Sequence, residues 1–202
     1  MKRFVYLVLL LTTACKPTAD EKAIELTALD LGNQISIQAQ QTLGKQLTLA
    51  MAEGGPVHAV SFCNTAAYPI LDTLQTIVPT SIKRASLNVR NPSDAPTEME
   101  QRVLETFTLE IEAGIENPGP RIIALPDNRL IYLKPIILNN PICLNCHGKA
   151  GTEISDETYA LIRQLYPNDN AINHRMGDLR GAWSITFNKA DIIEYLKENS
   201  QE

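Results

Sequence analysis

Along the first part of the chain, apolar residues recur three and four positions apart. Ile24, Leu26, Leu29, Leu31, Ile35, Leu43, Leu47 and Leu49 have the spacing of one long amphipathic helix from about Ala23 to Ala52, rich in Gln and Ala and free of proline. Gly54-Gly55-Pro56 ends it. Val57 to Ile77 predicts a second helix interrupted near Tyr68-Pro69. Ser81 to Val89 alternates loosely, as a strand does, and closes on the turn pair Asn91-Pro92. A third helix is predicted to begin near Asp94, with Pro96 in its first turn and Glu98 and Glu100 at the positive end of the dipole. It carries Val103, Leu104, Phe107 and Ile111 inward.

The period then shortens. Arg121 to Leu125 and Leu130 to Ile136 are β-branched runs around Pro126-Asp127-Asn128-Arg129, a hairpin signal. Ser155 is placed to cap a helix running to Leu165, Gly181 to Phe187 reads as a strand, and Ala190 to Glu198 as a terminal helix. Helices lead and strands follow without βαβ alternation. The expected class is α+β, a small antiparallel sheet covered on one side by helices, in one domain over 23–202.

Charge narrows the function. The 202 residues include 18 basic and 23 acidic ones, a net charge of −5. Taking Lys2 and Arg3 away with a cleaved signal leaves 16 against 23, or −7. Such a chain has no cationic surplus for a phosphate backbone, which excludes nucleic acid as a partner.

Residues 1–14 read as a signal peptide: basic Lys2-Arg3, an apolar run from Phe4 to Leu11, then small Thr12-Thr13-Ala14. The apolar run is about half the ~20 residues a spanning helix needs. Cys15 follows the small residues as in a bacterial lipobox, although Thr12 stands where Leu is commonest. Cys15 is therefore expected to carry a lipid anchor, with residues 15–22 as a tether and plain cleavage near Ala14 as the alternative. This places the protein on the periplasmic side of a bacterial membrane, lipid-anchored or soluble. Lys16, where Asp would mark inner-membrane retention, favours the outer membrane.

Chemistry concentrates in Cys143-Leu144-Asn145-Cys146-His147, the attachment signature of c-type haem. Two cysteines three apart reach the two vinyl positions on one porphyrin edge, and the adjacent histidine presents a nitrogen to the iron. A thioredoxin-like redox pair, a zinc site and a strained disulfide are the competing readings. If Cys15 carries lipid and Cys143 and Cys146 carry haem, Cys63 remains. A lone thiol in an oxidising compartment is a liability unless it is a buried small hydrophobe or a second axial ligand. From residue types alone that ligand position stays open between Cys63, His58, His174, Met51 and Met176.

Several segments together resemble the PAS-like c-type haem domain family. These are Ser61-Phe62-Cys63-Asn64, the string from Arg84 to Pro96, Cys143 to Gly148, Tyr166-Pro167-Asn168-Asp169, and Gly177 to Ala182. The resemblance implies a PAS-like α+β domain with one covalent haem c, its iron held by His147 and Cys63. Lys83, Arg84 and Arg90 lie in the matched string and are candidate propionate partners. Arg180 is another, against plain solvation or pairing with acidic residues. Where the family tends to have a Gly and an aromatic residue, this chain has Asn173-His174. Asn tolerates the left-handed backbone such a turn needs, and His174 is read as a surface residue, with replacement ligand and gating residue as its other roles.

A six-coordinate haem points away from enzymatic turnover, and no acid–base pair with recognisable spacing accompanies it. The expected function is a redox or diatomic-gas sensor signalling through a separate partner. A small periplasmic electron-transfer cytochrome is the alternative.

Overall fold

The computed structural model describes residues 19–74 and 76–199. The expected signal peptide and Cys15 lie outside them. Helix α1 (Ala19–Asp72) begins within the expected tether, with Asp20 and Glu21 in its first turn where the dipole favours negative charge. It breaks at Gly54 and Gly55, and Gly55 has φ of +66°, a left-handed conformation that glycine adopts without cost. Two arms result. The short arm runs through Pro69 rather than stopping there: Pro69 and Thr65 are both exposed, so water reaches the carbonyl that the proline leaves unbonded.

Strands β1 (Thr80–Ala85), β2 (Arg121–Ala124), β3 (Arg129–Ile137) and β4 (Leu179–Asn188) form one antiparallel sheet in the order β1-β4-β3-β2. The β2–β3 turn places Asn128 at φ +60°, as a tight hairpin requires. Between the strands stand α2 (Glu98–Glu112), α3 (Leu144–His147) and α4 (Asp156–Leu165), and α5 (Lys189–Asn199) ends the fold. The class is α+β, as expected, with a long N-terminal helix. Among the described residues, no helix is long and apolar enough to cross a membrane.

Helices cover both faces of the sheet, correcting the one-sided expectation. Leu130, Tyr132, Ile185 and Phe187 meet Ala28, Leu31 and Ile35 of α1 and Ile192 of α5. Ile131, Leu133, Ala85 and Ala182 meet Val103, Leu104 and Phe107 of α2. The long arm of α1 comes so near the sheet that a Cβ on Gly32 would sit 2.4 Å from the Tyr132 ring. Its arms close on each other through Ala39, Leu71 and Trp183, with Leu43 and Tyr68 alongside. Leu26 and Leu49, counted above in the apolar stripe, are exposed.

Helix α2 begins at Glu98, not near Asp94, because Thr97 caps it. Thr97 Oγ1 accepts from the Glu100 amide (3.3 Å), and Glu100 Oε2 accepts from the Thr97 amide (2.7 Å). Asp94 instead closes a short 3₁₀ turn, Pro92–Asp94. Glu100 also accepts from Ser184 Oγ on β4 (2.6 Å) and lies 2.9 Å from the Lys83 ammonium of β1. Burial pushes the Glu100 carboxyl up, but Ser184, the Thr97 amide and Lys83 together outweigh it and hold the group below the ordinary carboxylate value. The resulting stability is present above the unfolded value of about 4.3 and is lost as pH falls through the lower folded value. Glu100→Ala, which strands Lys83, should cost about 3 kcal/mol in urea denaturation at pH 7. Glu100→Gln should flatten the loss of stability below about pH 4 that the wild type shows.

Candidate metal and cofactor centre

The chain leaves β3 at Ile137 and returns at Leu179, and the excursion between them carries Cys143, Cys146 and His147. Asn140 starts the motif by accepting from the Ile142 amide (3.0 Å), opening the 3₁₀ turn Pro141–Cys143 that runs directly into α3. Cys143 and Cys146 thus lie one helical turn apart, both half-buried free thiols. Burial pushes both up, Cys146 to about 11, so each is protonated at neutral pH. Behind them Val60, Ile154 and Ile162 form a small apolar core against which Cys146 packs. Val60 stands one turn before Cys63 on the short arm of α1. Cys63 lies near enough to Cys146 that negative charge on Cys63 resists ionisation of Cys146.

His147 is held from several sides. Its Nδ1 lies 2.8 Å from the Ala171 carbonyl, so Nδ1 carries the proton and donates. The amides of Asn173 and His174 donate to the carbonyls of Gly148 and His147, each at 2.9 Å. Asn173 makes that turn at φ +65°, the left-handed geometry expected of it. Burial pushes the imidazole well below its ordinary value, the Arg180 and Arg90 charges push it further, and the ring is neutral. Arg180 Nε lies 3.3 Å from Nδ1 and 3.4 Å from Nε2. An atom equally near both nitrogens cannot lie in the ring plane without colliding with ring carbons. The guanidinium therefore lies over the imidazole face and leaves the in-plane lone pair of Nε2 uncommitted.

Arg90 fastens this arrangement. Its Nε donates to Asp169 Oδ1 (3.0 Å), and its Nη2 donates to Asp169 Oδ2 (3.1 Å) and to the carbonyls of Cys146 (2.7 Å) and Ala171 (3.2 Å). Asp169 Oδ1 in turn accepts from the Ala171 amide at 3.0 Å. One buried guanidinium thereby sets the spacing between the residue before His147 and the carbonyl that orients its ring. Such an outer partner fixes the tautomer and aims Nε2. Asp169 stood in the matched Tyr-Pro-Asn-Asp segment without a role, and nothing local marks an aspartate whose partner lies 79 positions away.

Arg84 lies on the Cys63 side. Burial pushes the Cys63 thiol up, and Arg84 and then Arg90 oppose that by favouring the thiolate. Arg84 Nη2 is 3.8 Å from Asp94 Oδ2, and its buried Nε meets no acceptor among the described residues. Asp94 accepts from the Tyr68 hydroxyl at 2.6 Å, and burial followed by that carboxylate drives the Tyr68 phenol far above its ordinary value.

Two sequence expectations need correcting. Lys83, grouped with Arg84 and Arg90, points to the other face of the sheet, because neighbours on a strand alternate, and is engaged with Glu100 and the Ala95 carbonyl. His174, read as a surface residue, is only 6% exposed. Its ring meets His147 edge-on, centroids 6.2 Å apart, because the backbone bond to His147 turns it inward. Of the other ligand candidates, His58 faces solvent and pairs with Glu53 at 3.2 Å, and Met176 is exposed. Among the described residues no three His, Cys, Asp or Glu side chains gather as a zinc site requires.

The cyanobacterial heme-protein Tll0287 is a similar solved structure, 21% identical over 85% of this chain and 97% of that one, with a TM-score of 0.46. No curated protein matches the chain. The Tll0287-like family matches residues 15–188, which is most of the sequence. The chain belongs to the Tll0287-like family.

Proposed function

We propose that this is an exported, lipid-anchored protein with one covalent haem c, acting as a redox or diatomic-gas sensor. The observation that carries the reading is His147. A neutral imidazole, its Nδ1 committed to a carbonyl and its Nε2 lone pair free, stands next to two reduced thiols on one helical turn. That donor set suits a c-type haem: Cys143 and Cys146 for the thioethers, and His147 for one axial position. Cys63 is the second axial ligand in this reading, with Arg84 and Arg90 favouring its thiolate against the burial that pushes the thiol up. Arg84, with a buried Nε still unpaired, remains a propionate partner, whereas Arg90 is spent on Asp169 and two carbonyls. When bound, the haem supplies a one-electron couple and, on loss of Cys63, a coordination position for a gas. The anchor is assigned to Cys15 and the location to the periplasmic side of the outer membrane. Both follow from the leader sequence.

Protein matured with c-type assembly machinery should carry haem that survives denaturation, and its absence would sink the scheme. The ferric form should show low-spin thiolate signatures in optical and EPR spectra, lost in Cys63→Ala. Unchanged spectra in that variant would remove Cys63 as ligand. Adding CO and NO to the ferrous form decides between roles. Rapid binding supports a sensor, and a protein that stays six-coordinate and exchanges electrons quickly is an electron carrier.

Arg90→Gln and Asp169→Asn each strand a buried partner. Each should lower thermal stability by an amount equivalent to about 3 kcal/mol and reduce covalent haem loading. Haem content at wild-type level in both would show that the strut does not position His147.

A further inference from the structure

Two polar groups beside His147 are left with unmet bonding capacity. The hydrogen bonds of Arg180 to groups other than the His147 ring go to the Ser86 hydroxyl (2.8 Å) and the Asn88 carbonyl (3.2 Å), neither of them an anion. Burial pushes its guanidinium down to about 10, with Arg90 and Arg84 adding repulsion. His174 has a buried Nε2 without a partner among the described residues, and its Nδ1 lies 3.9 Å from Asp178 Oδ2, beyond hydrogen-bond reach. Both side chains line one cavity of about 340 Å³ between the C-terminal half of α2 and the ends of β1 and β4.

A half-buried cation without a counter-ion and a buried imidazole nitrogen without a partner are each costly. One chemical class satisfies both. A carboxylate offers one oxygen to the guanidinium and the other to the N–H of a neutral His174 ring carrying its proton on Nε2, and it neutralises the Arg180 charge. A neutral ligand would leave Arg180 uncompensated, and a cation would add to it. The carboxylates already lining the cavity do not serve. Asp178 Oδ2 accepts from the Arg175 amide at 2.7 Å, and Glu112 is an exposed residue at the end of α2.

We infer that this cavity receives a carboxylate held between Arg180 and His174. Two sources have that chemistry: a propionate of the haem, in which case the inference rests on the haem reading above, and a small free carboxylate from solution. Because Arg180 Nε lies against the ring of His147, the guanidinium would link an anion bound there to that imidazole whichever source supplies it.

Holoprotein is titrated with acetate against chloride at constant ionic strength, reading binding heat and thermal midpoint. Oxidised-minus-reduced infrared difference spectra are recorded on the wild type, Arg180→Gln, Arg180→Lys, His174→Leu and His174→Gln. A saturable acetate response, weakened at least tenfold in Arg180→Gln and His174→Leu, identifies a free carboxylate. No response in the wild type, with carboxylate bands that shift in those two variants and are retained in Arg180→Lys, identifies the propionate. Acetate binding that is equal in all proteins, or no binding together with unchanged infrared bands, overturns the inference. His174→Gln keeps an N–H donor and guards against a folding defect in His174→Leu. Haem content, read from the pyridine haemochrome of each sample, reports on the haem reading separately. A wild type without covalent haem sinks that reading and leaves the acetate titration to decide the cavity.

Discussion

The pair between Arg90 and Asp169 is the interaction on which the site depends. Both side chains are deeply buried, 11% and 0% exposed. In isolation, such a pair is not a net source of stability, because taking two ions out of water costs about as much as their attraction returns. Its value here is directional. The planar guanidinium bonds a carboxylate and two main-chain carbonyls at once, which a lysine's point charge could not do with the same angular control. The excursion between β3 and β4 rests as well on a small apolar cluster around Val60, Ile154 and Ile162 and on the Asn170 amide, which donates to the Val89 carbonyl. Arg90 adds an attachment of fixed orientation at Cys146 and Ala171, and His147 inherits it.

The charge around the thiols and imidazole is uneven. Arg84, Arg90 and Arg180 converge there against Asp94 and Asp169. That excess of positive charge acts on neighbouring groups in opposite senses. It makes a protonated imidazole costly, keeping His147 neutral, and it favours the anion at Cys63. The guanidiniums thus act with burial at His147, where both hold the imidazole neutral, and against burial at Cys63, where burial prevails and the thiol stays above its ordinary value.

Much of this was legible in the sequence where the signal is local. The break at Gly54-Gly55-Pro56, the Ser155 cap, the hairpin around Asn128 and the Cys143–His147 motif each announce themselves within a few residues. At the start of α2, Asp94 and Pro96 imitate a helix entry, while the capping pair Thr97 and Glu100 lies further on, with Thr97 three residues after Asp94. The second covered face has its own local signal: Leu130-Ile131-Tyr132-Leu133 is apolar at four consecutive positions, as a strand packed on both sides is. Asp169 and His174 were out of reach, since their burial depends on partners brought together only by the tertiary fold.

Lys83 and Arg84 are adjacent in the chain, yet one completes the cap of α2 and the other faces Cys63. The difference rests on strand parity: Lys83 is opposite Ser184 and Arg84 opposite Trp183. Parity makes β1 intolerant of a length change in a way that no composition reveals. One residue added or lost between Leu74 and Thr80, if the strand slipped to absorb it, would turn both cations to the opposite faces. A slip in one direction would put an ammonium where Arg84 faces Cys63, and a slip in the other would put a guanidinium against the buried Glu100. In this family, alignment gaps should therefore avoid the approach to β1 more strictly than substitutions within it do, because a gap would misdirect two charges in one step.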